Sequence, residues 1–338
     1  MNKEQPIMPD TPLPEQICQG YLLHPACKEI VSKIKPRKDP VLYCTFTDVH
    51  DLVEEVCETR SDIKLDFWDR RRLAQALSFV AAWREHKQIY NFDPELAKIL
   101  IDQDLDGELP IETLYNLPYK CIYIQTDLLM EAKGFFVYFD TDEYIQGDLD
   151  LKLCFVDTAD EHAVIPIHLI KGKTLGECVQ KTNTEMAGGD EFEVSEDVIN
   201  YMIPELSGAI QLILYLCAEN KDVVERKRLE FNKKKSQPKK KKVKKKQIQK
   251  EAKIQEWAVG SVITKQFKRS TYTPSDSQNG NANGTKKSPH MRKAHWHHYW
   301  VGASESEERR LVLKWVQPSF IHAEGIKGKP IIMNEVKK

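Results

Sequence analysis

Between residues 119 and 170 the apolar side chains recur every second residue, in four runs too short for helices and separated by polar turns. The runs are YKCIYIQ (119–125), GFFVYFD (134–140), LDLKLCFVD (149–157) and AVIPIHLI (163–170). In the third, Leu149, Leu151, Leu153 and Phe155 alternate with Asp150, Lys152, Cys154 and Val156, which predicts a strand with one apolar face. Connections this short join antiparallel neighbours, because a parallel return needs a crossover of a dozen residues or more. The four runs therefore predict an antiparallel meander. Pro166 withholds a ladder donor, so the last strand is expected at an edge or with a bulge.

Helical patterns surround this block. Short helices are expected from about 22 to 60, broken near KPRKDP. Asp66 is a candidate N-cap for a helix whose Leu73, Ala76, Leu77, Val80 and Trp83 share a face, continuing through AAWREHKQIY to about Tyr90. Asp93 and Pro94 open another helix. A short helix is expected from Thr174 to about Lys181. Ser195 is placed to cap a long one over 196–219, which Pro204 and Gly208 are expected to kink or split. The fold class is α+β: a helical N-terminal part, an antiparallel β-meander with packed helices, and a C-terminal β-hairpin.

Charge divides the chain. Residues 1–220 carry 20 Lys/Arg against 40 Asp/Glu, whereas residues 221–338 carry 30 against 11. Ten of the fourteen residues from Lys233 to Lys246 are lysine, a run whose self-repulsion keeps it solvated until it meets a polyanion. The expected organisation is a flexible N-terminus (1–20), an acidic α+β body (21–227), a Lys-rich linker (228–250) and a short ordered segment (251–274). A flexible linker (275–288), a His/Trp hairpin packed on the body (289–325) and a tail (326–338) follow. Lys239, Lys240, Lys241, Lys242, Lys244, Lys245 and Lys246 are the candidate nucleic-acid contacts, through counterion release. The eight cysteines are scattered without a CxxC pair, as for reduced buried thiols in a cytoplasmic protein. No signal-peptide pattern and no membrane-length apolar stretch is expected.

The densest chemistry lies in PHMRKAHWHHYW (289–300), followed across a polar turn by RRLVLKWVQPSFI. Strands near 291–300 and 309–316 would form a hairpin. On the first, Arg292, Trp296, His298 and Trp300 would share one face, and Lys293, His295, His297 and Tyr299 the other. Four readings stand. His295 and His297 form an HxH pair, but no third metal ligand is nearby in sequence, so no metal is expected. His290, Arg292, His295, His297 and Tyr299 have the composition of a metal-independent ribonuclease, with base, acid and phosphate cation. Arg292, His295, Trp296, His297, Tyr299, Trp300 and Trp315 have the composition of a recognition surface, the favoured reading. Packing alone is the fourth. DQDLDGELPIE (102–112) imitates a calcium loop but places Thr113 where the bidentate Glu belongs. Nucleotide-binding and hydrolase motifs are absent; no cofactor is expected, and a binding protein is favoured over an enzyme.

AAWREHKQIY (81–90), LPYKCIYI (117–124), GFFVYFD, VIPIHLI, LILYLCAEN (212–220) and, above all, PHMRKAHWHHYW with LVLKWVQPSFI (311–321) occur in this order. In these landmarks the chain resembles the second type V-A anti-CRISPR family, carried by mobile elements and phages. The resemblance implies recognition of the N-terminal segment of the type V-A CRISPR effector nuclease as it is translated, followed by loss of the message. The implied partner is that nascent peptide, in the cytoplasm of a bacterial host; by its charge, and not by the resemblance, the basic arm would favour ribosomal or messenger RNA. Direct blockade of the folded nuclease is the further alternative.

Overall fold

The computed structural model describes residues 11–103, 105, 107–141, 149–157, 162–188, 195–226, 252–264, 290–292, 294–303, 309–316 and 319–321. The four alternating runs form strands β2 (Cys121–Gln125), β3 (Gly134–Thr141), β4 (Leu149–Val156) and β5 (His162–His168), each antiparallel to the next. They belong to a seven-stranded sheet of order β5-β4-β3-β2-β1-β7-β6. Pro166 lies on β5, an edge strand, where its missing donor is tolerated.

The other half of the sheet was not evident in the period. The expected helix to Tyr90 stops earlier: α4 spans Phe67–Arg84, and Gln88–Phe92 is strand β1. Lys87 takes φ 50 and turns the chain out of the helix, and the Trp83 indole N–H donates to the Gln88 carbonyl at 2.9 Å. Ile89 then points to one face of the sheet and Tyr90 and Phe92 belong to the core on the other. β1 runs parallel to both β2 and β7 (Gln255–Val259), and β6 (Val223–Arg226) closes the edge antiparallel to β7. The segment after the Lys run is thus an inner strand of the main sheet, and the strands that flank that run in sequence, β6 and β7, pair with each other.

Both faces of the sheet are covered. On one, α1 (Leu13–Leu23) and α4 pack against Ile89, Tyr123, Phe136, Tyr138 and Cys154. Behind them α2 (Pro25–Lys33) and α3 (Phe46–Thr59) complete the helical layer, with the break at KPRKDP as expected. α1 begins at Leu13, inside the stretch expected to be flexible, because Ile17 and Cys18 find burial in this layer. On the other face lie α5 (Pro94–Ile101), α6 (Ile111–Leu114), α7 (Leu175–Gly188) and α8 (Glu196–Cys217), against Ile122, Phe135, Val137, Leu151 and Leu153. Asp66 and Asp93 cap α4 and α5 through side-chain acceptors, as their positions predict.

Pro204 does not split α8, which runs unbroken, with exposed Val198 and Tyr201 in its first half and Gly208–Cys217 buried. Gly208 marks a close approach: a Cβ there would meet Leu129 at 2.9 Å and Ile101 at 3.0 Å.

The C-terminal hairpin is β9 (His295–Val301) with β10 (Arg310–Val316), antiparallel, Trp296 opposite Trp315 and Tyr299 opposite Val312. The strand expected over 291–300 is interrupted. β8 (His290–Arg292) pairs instead with β11 (Ser319–Ile321) as a second small sheet. No helix among the described residues is long and apolar enough to cross a membrane.

Candidate functional site

The hairpin owes its position to α8. Trp315, 2% exposed, packs edge-on against Tyr215 at 5.4 Å, and Leu313 and Ala294 join the same core. Burying an aromatic this size stabilises the docking by roughly 2–3 kcal/mol. Polar contacts then fix the register. Gln211, wholly enclosed in α8, accepts from the Trp296 indole N–H and donates to the Gln103 carbonyl at 3.1 Å. Asn220 donates to the Trp315 carbonyl at 2.8 Å, and Glu219 draws in Arg310 at 3.0 Å and Lys314 at 3.5 Å.

Period two then dictates what faces outward. Trp296 is on the docked side of β9, so His295, His297 and Tyr299 project from the other. Their rings form a ladder: His295 to His297 at 6.4 Å and His297 to Tyr299 at 4.6 Å. His297 and Tyr299 are exposed and His295 half-buried. Towards the turn, Trp300 lies beyond the body, 60% exposed, with the Arg309 guanidinium 4.6 Å from its ring centroid. His297 Nδ1 is 2.7 Å from the His298 carbonyl. A carbonyl only accepts, so Nδ1 carries the proton and a neutral ring presents Nε2 as its basic nitrogen.

The predicted recognition residues therefore divide. His295, His297 and Tyr299 form an accessible row on one face; Trp300 shares the docked face with half-buried Trp296 and is exposed because it lies beyond the body. Trp315 is sealed in the core, where it anchors the hairpin. His290 and Arg292 fall on β8, a different sheet from the His297 ladder, and their side chains lie outside the described residues. Lys239, Lys240, Lys241, Lys242, Lys244, Lys245 and Lys246 also lie outside them, as do Asp104 and Asp106 of the calcium-like stretch.

Two grooves flank the fold. One, of about 360 Å³, runs between α6, the end of α8 and β10, and is lined by Thr113, Asn116, Cys217, Ala218, Val312 and Leu313. Another, of about 540 Å³, opens between α1, α2 and the approach to α4, with Tyr21, Ile30, Leu73 and His162 in its walls. Neither was foreseen, since each draws on segments remote in sequence. A buried ionic row was missed too. On the sheet face under α3, Lys152 meets Asp140 at 3.2 Å and His168 meets Asp150 at 3.2 Å, all four enclosed. Asp140 also accepts from the Phe46 N–H at 3.0 Å, at the start of α3.

The seven-stranded sheet with a helical layer on each face and a docked aromatic hairpin is an α+β fold. Residues 90–323 match the family model described as the Anti-CRISPR type V subtype A2 family, AcrVA2-like. The chain belongs to that family. It is similar to Protein FinQ of Escherichia coli, 23% identical over 322 residues, covering 82% of this chain and 90% of that protein. Its fold is similar to a crystal structure of AcrVA2, with TM-score 0.56 and 19% identity, covering 91% of this chain and 97% of that one. The family supports an anti-CRISPR function acting on a CRISPR component. Helices α1–α4 and their three-residue exit precede the family match, which starts at Tyr90 on β1.

Proposed function

We propose that this chain captures the N-terminal segment of the type V-A CRISPR effector nuclease as it emerges during translation and triggers loss of its message. The observation that carries the reading is the His297–Tyr299 pair, presented to solvent on a hairpin whose other face is locked into α8, with Trp300 exposed where that other face runs beyond the body. Unfolded peptides are recognised by rigid aromatic anchors and open strand margins, and the hairpin has both. The acidic bulk of residues 1–220 favours a Lys/Arg-bearing peptide, and the Lys run suits the ribosome or the message. The test is binding of the full chain to a synthetic peptide of the effector's N-terminal segment, with effector transcript measured in cells. Binding that falls at least about tenfold in Tyr299→Ala/Trp300→Ala, with transcript restored, supports the reading. A folded protein without affinity for the peptide rejects it.

A ribonuclease reading is favoured by the tautomer of His297, whose Nε2 is left as a base beside the Tyr299 ring. RNA incubated with pure protein in EDTA discriminates. Cleavage lost in His297→Ala would establish an enzyme, and RNA intact over hours excludes that activity. Inhibition of preassembled nuclease would point instead to a direct blocker.

A further inference from the structure

An antiparallel pair leaves alternate residues with their N–H and C=O turned outward. Two contacts show which residues those are in the hairpin. The Trp315 carbonyl is taken by Asn220 and the His298 carbonyl by the His297 ring, so both point away from the partner strand. His298 is opposite Leu313, and Trp315 opposite Trp296. The odd residues of β10 therefore aim their main-chain groups at the free edge. Trp315 is capped, leaving Leu311 and Leu313. Among the described residues no main-chain hydrogen bond joins either of these two to another element. Leu313 lines the groove of about 360 Å³ that separates β10 from α6 and the end of α8.

An edge with unspent donors and acceptors, beside a groove lined by Cys217, Ala218, Val312 and Leu313 together with Glu112, Glu219, Lys221 and Arg310, is a template for one more strand. The groove lies between α6, the end of α8 and β10. On β9 the corresponding margin is blunted where His297 occupies the His298 carbonyl. We propose that the free edge of β10 seats an extended peptide as a third strand of the hairpin, with alternate side chains of the peptide entering the groove over Cys217, Ala218 and Val312. This deepens, and rests on, the capture of an unfolded effector segment proposed above. The peptide's pairing with Leu311 and Leu313 supplies affinity, and the groove selects side chains at every second position.

The test uses the full chain and the effector's N-terminal peptide, made as a series in which each residue in turn is N-methylated. Strand addition predicts alternation: methylation costs about tenfold or more at every second position and about twofold or less between them. On the protein, Asn116→Trp at the exposed groove rim is expected to weaken binding about tenfold. If the wild-type chain binds no peptide, this inference and the proposed function both fall. If it binds with no alternation along the series, or is indifferent to Asn116→Trp while Tyr299→Ala/Trp300→Ala abolishes affinity, the β10 edge is overturned and the capture function stands.

Discussion

The Lys152 ammonium lies 3.2 Å from the Asp140 carboxylate beneath the first turn of α3, with both side chains almost wholly enclosed (3% and 1% exposed). The pair sits between β3 and β4 and also receives the Phe46 N–H, so it ties the helical layer to the sheet. Burial pushes the Asp140 carboxyl up, and the attraction of Lys152 offsets this only in part. Asp140→Ala is therefore expected to cost about 3–5 kcal/mol, because the buried Lys152 ammonium and the Phe46 N–H both lose the Asp140 carboxylate. Asp140→Leu/Lys152→Met is expected to cost less than the two single losses together. A double-mutant cycle by urea unfolding measures the coupling; additive values would contradict it.

Gln211 governs how firmly the hairpin is held. In Gln211→Leu the Trp296 N–H and the Gln103 carbonyl both lose their partner in a closed environment, a cost of about 1–3 kcal/mol. The loss is local. Hydrogen exchange is expected to speed up in β9 and β10 while β3 and β4 keep their protection. Uniform acceleration across the sheet would show that Gln211 supports the whole body instead.

His162 opens edge strand β5, its Nδ1 3.3 Å from the Tyr21 hydroxyl, and burial lowers its pKa below the ordinary value. The unfolded chain then binds the extra proton more readily. The stability linked to this ring is complete above its unfolded value of about 6.5 and is lost as pH falls through the lower folded one. The urea midpoint is expected to drop between pH 7.5 and 5 more steeply in the wild-type chain than in His162→Gln. Parallel pH profiles would remove His162 from the account.

Gly260 ends β7 with φ +81, and a Cβ there would come within 2.2 Å of Leu96. Its N–H donates to the Asp222 carbonyl, and the Asp222 carboxylate accepts from the Val262 and Ile263 N–H groups, so the turn has no room to relax. Gly260→Ala is expected to destabilise by more than about 1 kcal/mol, adding backbone strain to the clash. Thermal unfolding measures it, and an unchanged midpoint would refute the strain.

The meander was legible because a period of two, once unbroken over four runs, leaves little choice of structure. β1 was not, because QIYNF follows a strong helix pattern with neither Gly nor Pro between them, and the break falls on Lys87 in a left-handed conformation. The place of β7 in the sheet was hidden for another reason: its partner Gln88–Phe92 is remote in sequence, and parallel pairing leaves no local mark. Asp150 and Lys152 read as a solvent face because charge usually means water. Here each meets an opposite charge or a histidine under α3. At the hairpin, the alternation of faces was readable, but which face docks depends on Gln211 and Tyr215 of α8. Trp315 and Trp300 share the docked face, yet end at opposite extremes of exposure because Trp300 lies beyond the body.

The insertion of β7 beside β1 has a consequence for the protein's own synthesis. Until residue 259 has left the ribosome, β1 has a neighbour on one side only, and the parallel trio at the middle of the sheet stays unfinished. A product truncated before the lysine tract would carry that naked flank permanently, and would be prone to stick to its siblings before it could engage anything else.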